Sequence, residues 1–190
     1  VQEYILSHLE DFTEDAAKQD PAILSQIRFE PQADPFVKYS VNVVVDNTDL
    51  QGAPVVIETN PTYHNLFGRV ERRAQFGTLS ADFTLIRAGS YAKANGGFLV
   101  VNVHDVLLNP GVYETLKRAI KNKEVRIEDL AEQYGIFPVA GMRPQPIPVD
   151  VKVIMIGHQL IYHELYGLDE DFRKIFKVKA DFDSEMTRDA

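Results

Sequence analysis

The run "AKANGGFLVVNVHD", residues 92–105, sets an amide directly after four consecutive apolar residues. A strand of this kind can do magnesium-nucleotide chemistry when it ends in two acids. One carboxylate offers anionic oxygen to a hard cation, and the other orients the attacking water. At those two places the chain has Asn102 and Val103. The Asn102 amide offers a neutral oxygen but no base, and Asp105 lies past the apolar run, facing elsewhere if the strand stops at Asn102. Two readings follow: a nucleotide-site strand with its acids replaced, or a plain core strand.

Other candidates are sparser. The histidines are His8, His64, His104, His158 and His163, and none has the H-E-x-x-H spacing of a helical zinc site. His158 follows Gly157 at a predicted strand end, where its tip could reach a ligand or serve as an ordinary, partly buried side chain. No G-x-x-x-x-G-K-[ST] phosphate cradle is present, and Gly96-Gly97 precedes a strand instead of following one. No serine sits in a G-x-S-x-G elbow. In "TYHNLFGRVERR" (62–73), Tyr63, Leu66 and Phe67 lie beside Gly68 in a polar and basic segment. They fit either a loop that grips unfolded chains or a short helix that anchors the loop to the core.

The elements that must position these residues are legible from periodicity. Residues 1–12 place Val1, Tyr4, Ile5, Leu9 and Phe12 on one helical face, and the proline-bearing stretch 13–36 reads as a linker or wrapped arm. Strands are expected at 39–47, 53–58, 96–101 and 149–157, a strand or hairpin arm at 81–89, and a last strand over "KVKADF". Glycine-bounded 96–101 has the composition of a fully buried strand. Asn109 and Pro110 suit the N-cap and first position of an amphipathic helix bearing Val112, Tyr113, Leu116, Ala119 and Ile120 on one face. A long connection, 123–148, follows; "QLIYHELYG" predicts a short helix ended by Gly167, and "DEDFRKIF" a polar one. Strands alternating with helices predict an α/β fold with a mostly parallel sheet covered on both faces.

With 190 residues, 45% of them hydrophobic, the chain can bury a substantial core. A net charge of −8 opposes nucleic-acid binding and attraction to an anionic membrane. No apolar run is long enough to span a bilayer, and without cysteine there is no disulfide or thiolate metal site, which fits a cytoplasmic location. The chain begins with Val1 and reads as a fragment of a longer protein.

Four segments, in order, resemble the ATPase region of Lon-type ATP-dependent proteases, in particular the Lon-related, Lon-like branch. They are "VVVDNTDLQGAPVVIETNPTYHNLFGRVERR", "GTLSADFTLIRAGSYAKANGGFLVVNVHDVL", "ETLKRAIKNKEVRIEDL" and "IPVDVKVIMIGHQLIYHELYGLDEDFRKIFKVKADFD". The resemblance implies a partial AAA+ (P-loop NTPase-like) core over 37–183, without its Walker A loop, after a helical arm and linker (1–36) and before a tail (184–190). Asn102 and Val103 fall where the family pattern has Asp then Glu at the end of the Walker B strand. His158 falls where many relatives have the sensor 1 Asn. Tyr63, Leu66, Phe67 and Gly68 fall near the loop that lines a central pore. "DEDFRKIF" corresponds to the arginine-finger region, with Ile175 at the finger position and Arg173 nearby.

The resemblance further implies a parent protein with a P-loop region upstream and a Ser–Lys protease domain downstream. Such a protein forms a homo-oligomeric, hexamer-type ring, takes unfolded protein substrates, and uses ATP and Mg2+. Replacement of both acids puts ordinary ATP hydrolysis in question. A different class of reading is a non-enzymatic structural or interaction module derived from an AAA+ ATPase. A motor domain for DNA or a metal-insertion complex is a third, and the acidic charge opposes DNA.

Overall fold

The computed structural model describes residues 37–75, 78–128 and 142–183. The expected arm and linker (1–36) and tail (184–190) lie outside the described residues. In chain order the elements are β1 (Val55–Glu58), α1 (Tyr63–Phe67), β2 (Arg69–Val70), β3 (Arg73–Gln75), β4 (Thr78–Ser80), a 3-10 turn (Phe83–Leu85), β5 (Ile86–Arg87), α2 (Ser90–Lys93), β6 (Phe98–Asn102) and α3 (Val103–Leu108). They continue with α4 (Val112–Asn122), β7 (Glu124–Val125), β8 (Ile147–Pro148), β9 (Lys152–Ile156), α5 (Gln159–Leu168) and α6 (Glu170–Ile175).

The fold is α/β. Its main sheet has the order β1-β6-β9, and both pairings are parallel. β6 is central, as its glycine-bounded apolar run predicts, and Leu99 and Val101 point to a core shared with Leu66, Phe67, Tyr91, Val106, Val112 and Leu116. Each fully buried Leu or Phe of that set contributes about 1.5–3 kcal/mol. Three two-stranded antiparallel pairs, β2-β5, β3-β4 and β7-β8, decorate the sheet.

Helices flank the sheet on one face only among the described residues, which corrects the expectation of two covered faces. The register aligns Val55, Phe98 and Lys152, then Ile57, Val100 and Ile154, then Asn102 and Ile156. On that face Ile57 is 70% exposed and Ile156 59% exposed. For the same reason β9, expected to be buried, alternates exposed and half-buried residues as an edge strand.

Four local expectations also change. Residues 40–47 form no strand and bend at Val44, because alternation of residue types does not supply a pairing partner. "KVKADF" forms no strand, and Val178 and Phe182 are exposed. The α4 cap is Gly111, at φ 75°, rather than Asn109. Asn109 instead closes α3, its Nδ2 donating to the Asp105 carbonyl at 2.8 Å. Helix α5 also runs through Gly167 to Leu168.

Candidate functional site

The C-terminal ends of parallel strands are where an α/β sheet presents ligand-binding groups. Here the neighbouring tips of β6 and β9 bring Asn102, Val103 and His158 together. Asn102 pairs in register with Ile156, two residues before His158. Val103 reaches across to Gly157, where a Cβ would collide with the Val103 Cγ1 methyl. Glycine at 157 is therefore what lets the two tips close on each other.

Each of these side chains is already engaged. The Asn102 Oδ1 accepts the His104 N–H at 2.9 Å and caps α3. His158 does the same for α5, its Nδ1 accepting the Leu160 N–H at 3.2 Å. That bond requires the ring proton on Nε2. Both residues satisfy helix N-terminal donors that would otherwise lack partners. Val103 is buried and apolar.

The donor set does not fit magnesium. A hard cation prefers carboxylate oxygen, whereas this strand end offers one capping amide and a methyl group. Among the described residues no group of three or more His, Asp or Glu side chains is placed to hold a metal ion. Asp105 is drawn into the first turn of α3, with its carboxylate 3.8 Å from His104 Nδ1.

Of the two readings of 62–73, the structure contains the short helix. Tyr63, Leu66 and Phe67 are buried in α1, with Leu66 and Phe67 fully so. Their aromatic rings form a chain from Tyr63 to Phe67 at 5.0 Å and from Phe67 to Tyr91 at 6.4 Å. Thr62 caps the helix and Gly68 ends it at φ 94°, packed so tightly on the Arg87 carbonyl that a Cβ would collide with it. The segment anchors its loop to the core and holds these apolar groups away from solvent.

Arg173 is exposed on α6, its guanidinium 5.5 Å from the centre of the Tyr166 ring. Ile175 ends the same helix.

A cluster that sequence reading missed fixes α6 to α4. One oxygen of Asp169 accepts from the Lys117 ammonium at 2.8 Å and the Tyr113 hydroxyl at 2.5 Å. The other accepts the N–H groups of Asp171 and Phe172, capping α6. Burial pushes the Asp169 carboxyl up, but bonds from Lys117, Tyr113 and the two backbone N–H groups outweigh it and hold it at about 2. Burial and the Asp169 hydrogen bond both push the Tyr113 hydroxyl up. The sequence signals were the Tyr113/Lys117 spacing on α4 and an aspartate at the start of "DEDF".

With this geometry in place, the family model described as LonB-like, AAA domain matches residues 51–183. The chain belongs to the LonB-like AAA domain family. The match lies within the expected 37–183 core and makes the chain an AAA+ ATPase-like module. No curated protein sequence matches it. Among solved structures, it is similar to NtrX from Brucella abortus in complex with ADP, at 18% identity and a TM-score of 0.39, over 65% of this chain and 24% of that one. A second NtrX structure from Brucella abortus gives 16% identity and a TM-score of 0.39, over 65% of this chain and 25% of the other. The LonB-like AAA domain thus spans about a quarter of the length of these structures. No helix among its described residues is long and apolar enough to cross a membrane.

Proposed function

We propose that this LonB-like AAA domain is a scaffold segment of a Lon-like, ATP-dependent serine protease of the cytoplasm. It helps assemble a homo-oligomeric ring and passes unfolded protein to a Ser–Lys proteolytic domain elsewhere in the polypeptide. Nucleotide, held with an upstream P-loop region, acts as a ligand at the sheet's end instead of being hydrolysed there. The observation that supports this reading is that the end of β6, where the resemblance puts the family's two acids, holds a helix cap, Asn102, and a packing group, Val103. Removing groups that orient water and stabilise transition-state charge costs several kcal/mol of barrier, roughly 3 or more.

The same engagement favours a second reading, a non-enzymatic interaction module. One experiment separates the two: degradation of a permanently unfolded substrate by the full-length protein, with ATP, with a non-hydrolysable analogue and without nucleotide. The scaffold reading expects degradation that does not depend on hydrolysis. Absence of degradation under all three conditions rejects it in favour of the interaction module.

A further inference from the structure

A hollow of about 300 Å³ is bordered by Val43, Val44, Arg69, Glu71, Arg87 and Lys93. None of its lining residues belongs to β1, β6 or β9, so it is separate from the strand tips that carry Asn102 and His158. Three cations meet one carboxylate there, on a chain whose net charge is −8.

These charges are held in place. Arg69 and Arg87 stand directly opposite each other across the antiparallel β2-β5 pair. Like charges so placed repel. Glu71 offsets the repulsion by accepting from Arg69 Nη2 at 2.8 Å and from Arg87 Nε at 3.0 Å. Those two bonds hold the Glu71 carboxyl below the usual carboxylate range. The Glu71 backbone N–H in turn donates to the Leu85 carbonyl at 2.9 Å, which fixes the residue against the neighbouring arm. The facing wall is fixed as well. The Asn42 side chain donates to the carbonyls of Phe83 at 2.8 Å and Ile86 at 3.1 Å. Beyond it the chain bends at Val44, and Val45 packs on the core. A site whose walls are already ordered loses little freedom when a ligand enters.

The cations also keep capacity to bind. Glu71 engages only Nη2 of Arg69 and Nε of Arg87. A guanidinium has five N–H donors, so Nη1 and Nη2 of Arg87 and Nε and Nη1 of Arg69 remain for an incoming group. The Lys93 ammonium forms no ion pair among the described residues. The hollow therefore carries an excess of two positive charges.

We infer that this hollow binds a small multivalent oxyanion, phosphate- or carboxylate-bearing, held by the free N–H donors of Arg69 and Arg87 and by the Lys93 ammonium. The planar guanidinium fork matches both kinds of oxyanion. The charge excess favours a ligand with two or more negative charges, and the volume suits a small molecule. The inference goes beyond the proposed function and stands without it, because it uses neither the strand tips nor proteolysis.

The test is isothermal titration calorimetry of the full-length protein with pyrophosphate, with citrate and with a single-stranded oligonucleotide, all without magnesium. At least one of the two small anions is expected to bind, and the tighter of them identifies phosphate or carboxylate as the source of the charge. Binding should weaken between about 0.05 M and about 0.3 M salt. Arg87→Gln is expected to lose about tenfold in affinity. Glu71→Gln removes the competing carboxylate and should tighten binding about threefold. That gain cannot come from misfolding, so it guards against an arginine variant that fails to fold. Four results each overturn the inference: no binding of either small anion, tighter binding of the oligonucleotide, wild-type affinity in Arg87→Gln, or an affinity in Glu71→Gln that does not rise.

Discussion

Replacing Asp169 by Asn removes a charge from the α4–α6 contact while keeping an oxygen that can cap α6. The carboxyl lies at about 2 in the folded chain against a usual 3.8. At about 1.4 kcal/mol per unit, the folded state favours the ionised form by about 2 kcal/mol. Only 18% of that side chain is exposed, so solvent screens little of it. The variant is therefore expected to lose about 2 kcal/mol at pH 7. The sign is set by a depressed acid: the contribution is complete above the unfolded value and fades as pH falls towards the folded one. The gap between wild type and variant should hold steady from pH 7 to roughly 4 and shrink on further acidification. The chain has no tryptophan, so urea titration followed by far-ultraviolet circular dichroism is the assay. A loss under about 0.5 kcal/mol at pH 7, or a gap that does not change on acidification, refutes the reasoning.

Other perturbations separate capping from chemistry. Asn102→Ala should cost about 1 kcal/mol by removing the α3 cap, whereas Asn102→Asp should be close to neutral in stability, as urea titration will show. Phe67→Ala should destabilise the fold by about 3–4 kcal/mol, so any loss of substrate handling is expected to track loss of folded protein. Thr115 Oγ1 is buried with no hydrogen-bond partner among the described residues. Thr115→Val should therefore raise stability by about 1 kcal/mol, measured by the midpoint of thermal unfolding.

Strand β6 was legible because four apolar residues behind a glycine pair leave few alternatives to a buried strand. The likeness of its flanking segments to Lon-type ATPases was legible too, and the LonB-like AAA match agrees. Tyr63, Leu66 and Phe67 were ambiguous because a helix face and an apolar loop present the same residue types. Spacing of three and four supports the helix that the structure contains. Residues 40–47 have the alternation of a strand, but ladder pairing depends on what stands beside them, which no local pattern encodes. The Asp169 cluster joins residues 52 and 56 positions apart in the chain, so its two halves look like unrelated surface charges until the fold brings them together. The caps formed by Asn102 and His158 were not readable, since capping depends on how soon after each strand the next helix begins.

The most direct measurement is a titration of the full-length protein with a fluorescent ATP analogue, with and without magnesium, alongside phosphate release. With no carboxylate at the end of β6, any binding should be indifferent to magnesium and phosphate release should stay at background. Magnesium-tightened binding together with turnover above background would show that the strand end still works as a hydrolytic site and would contradict the scaffold assignment.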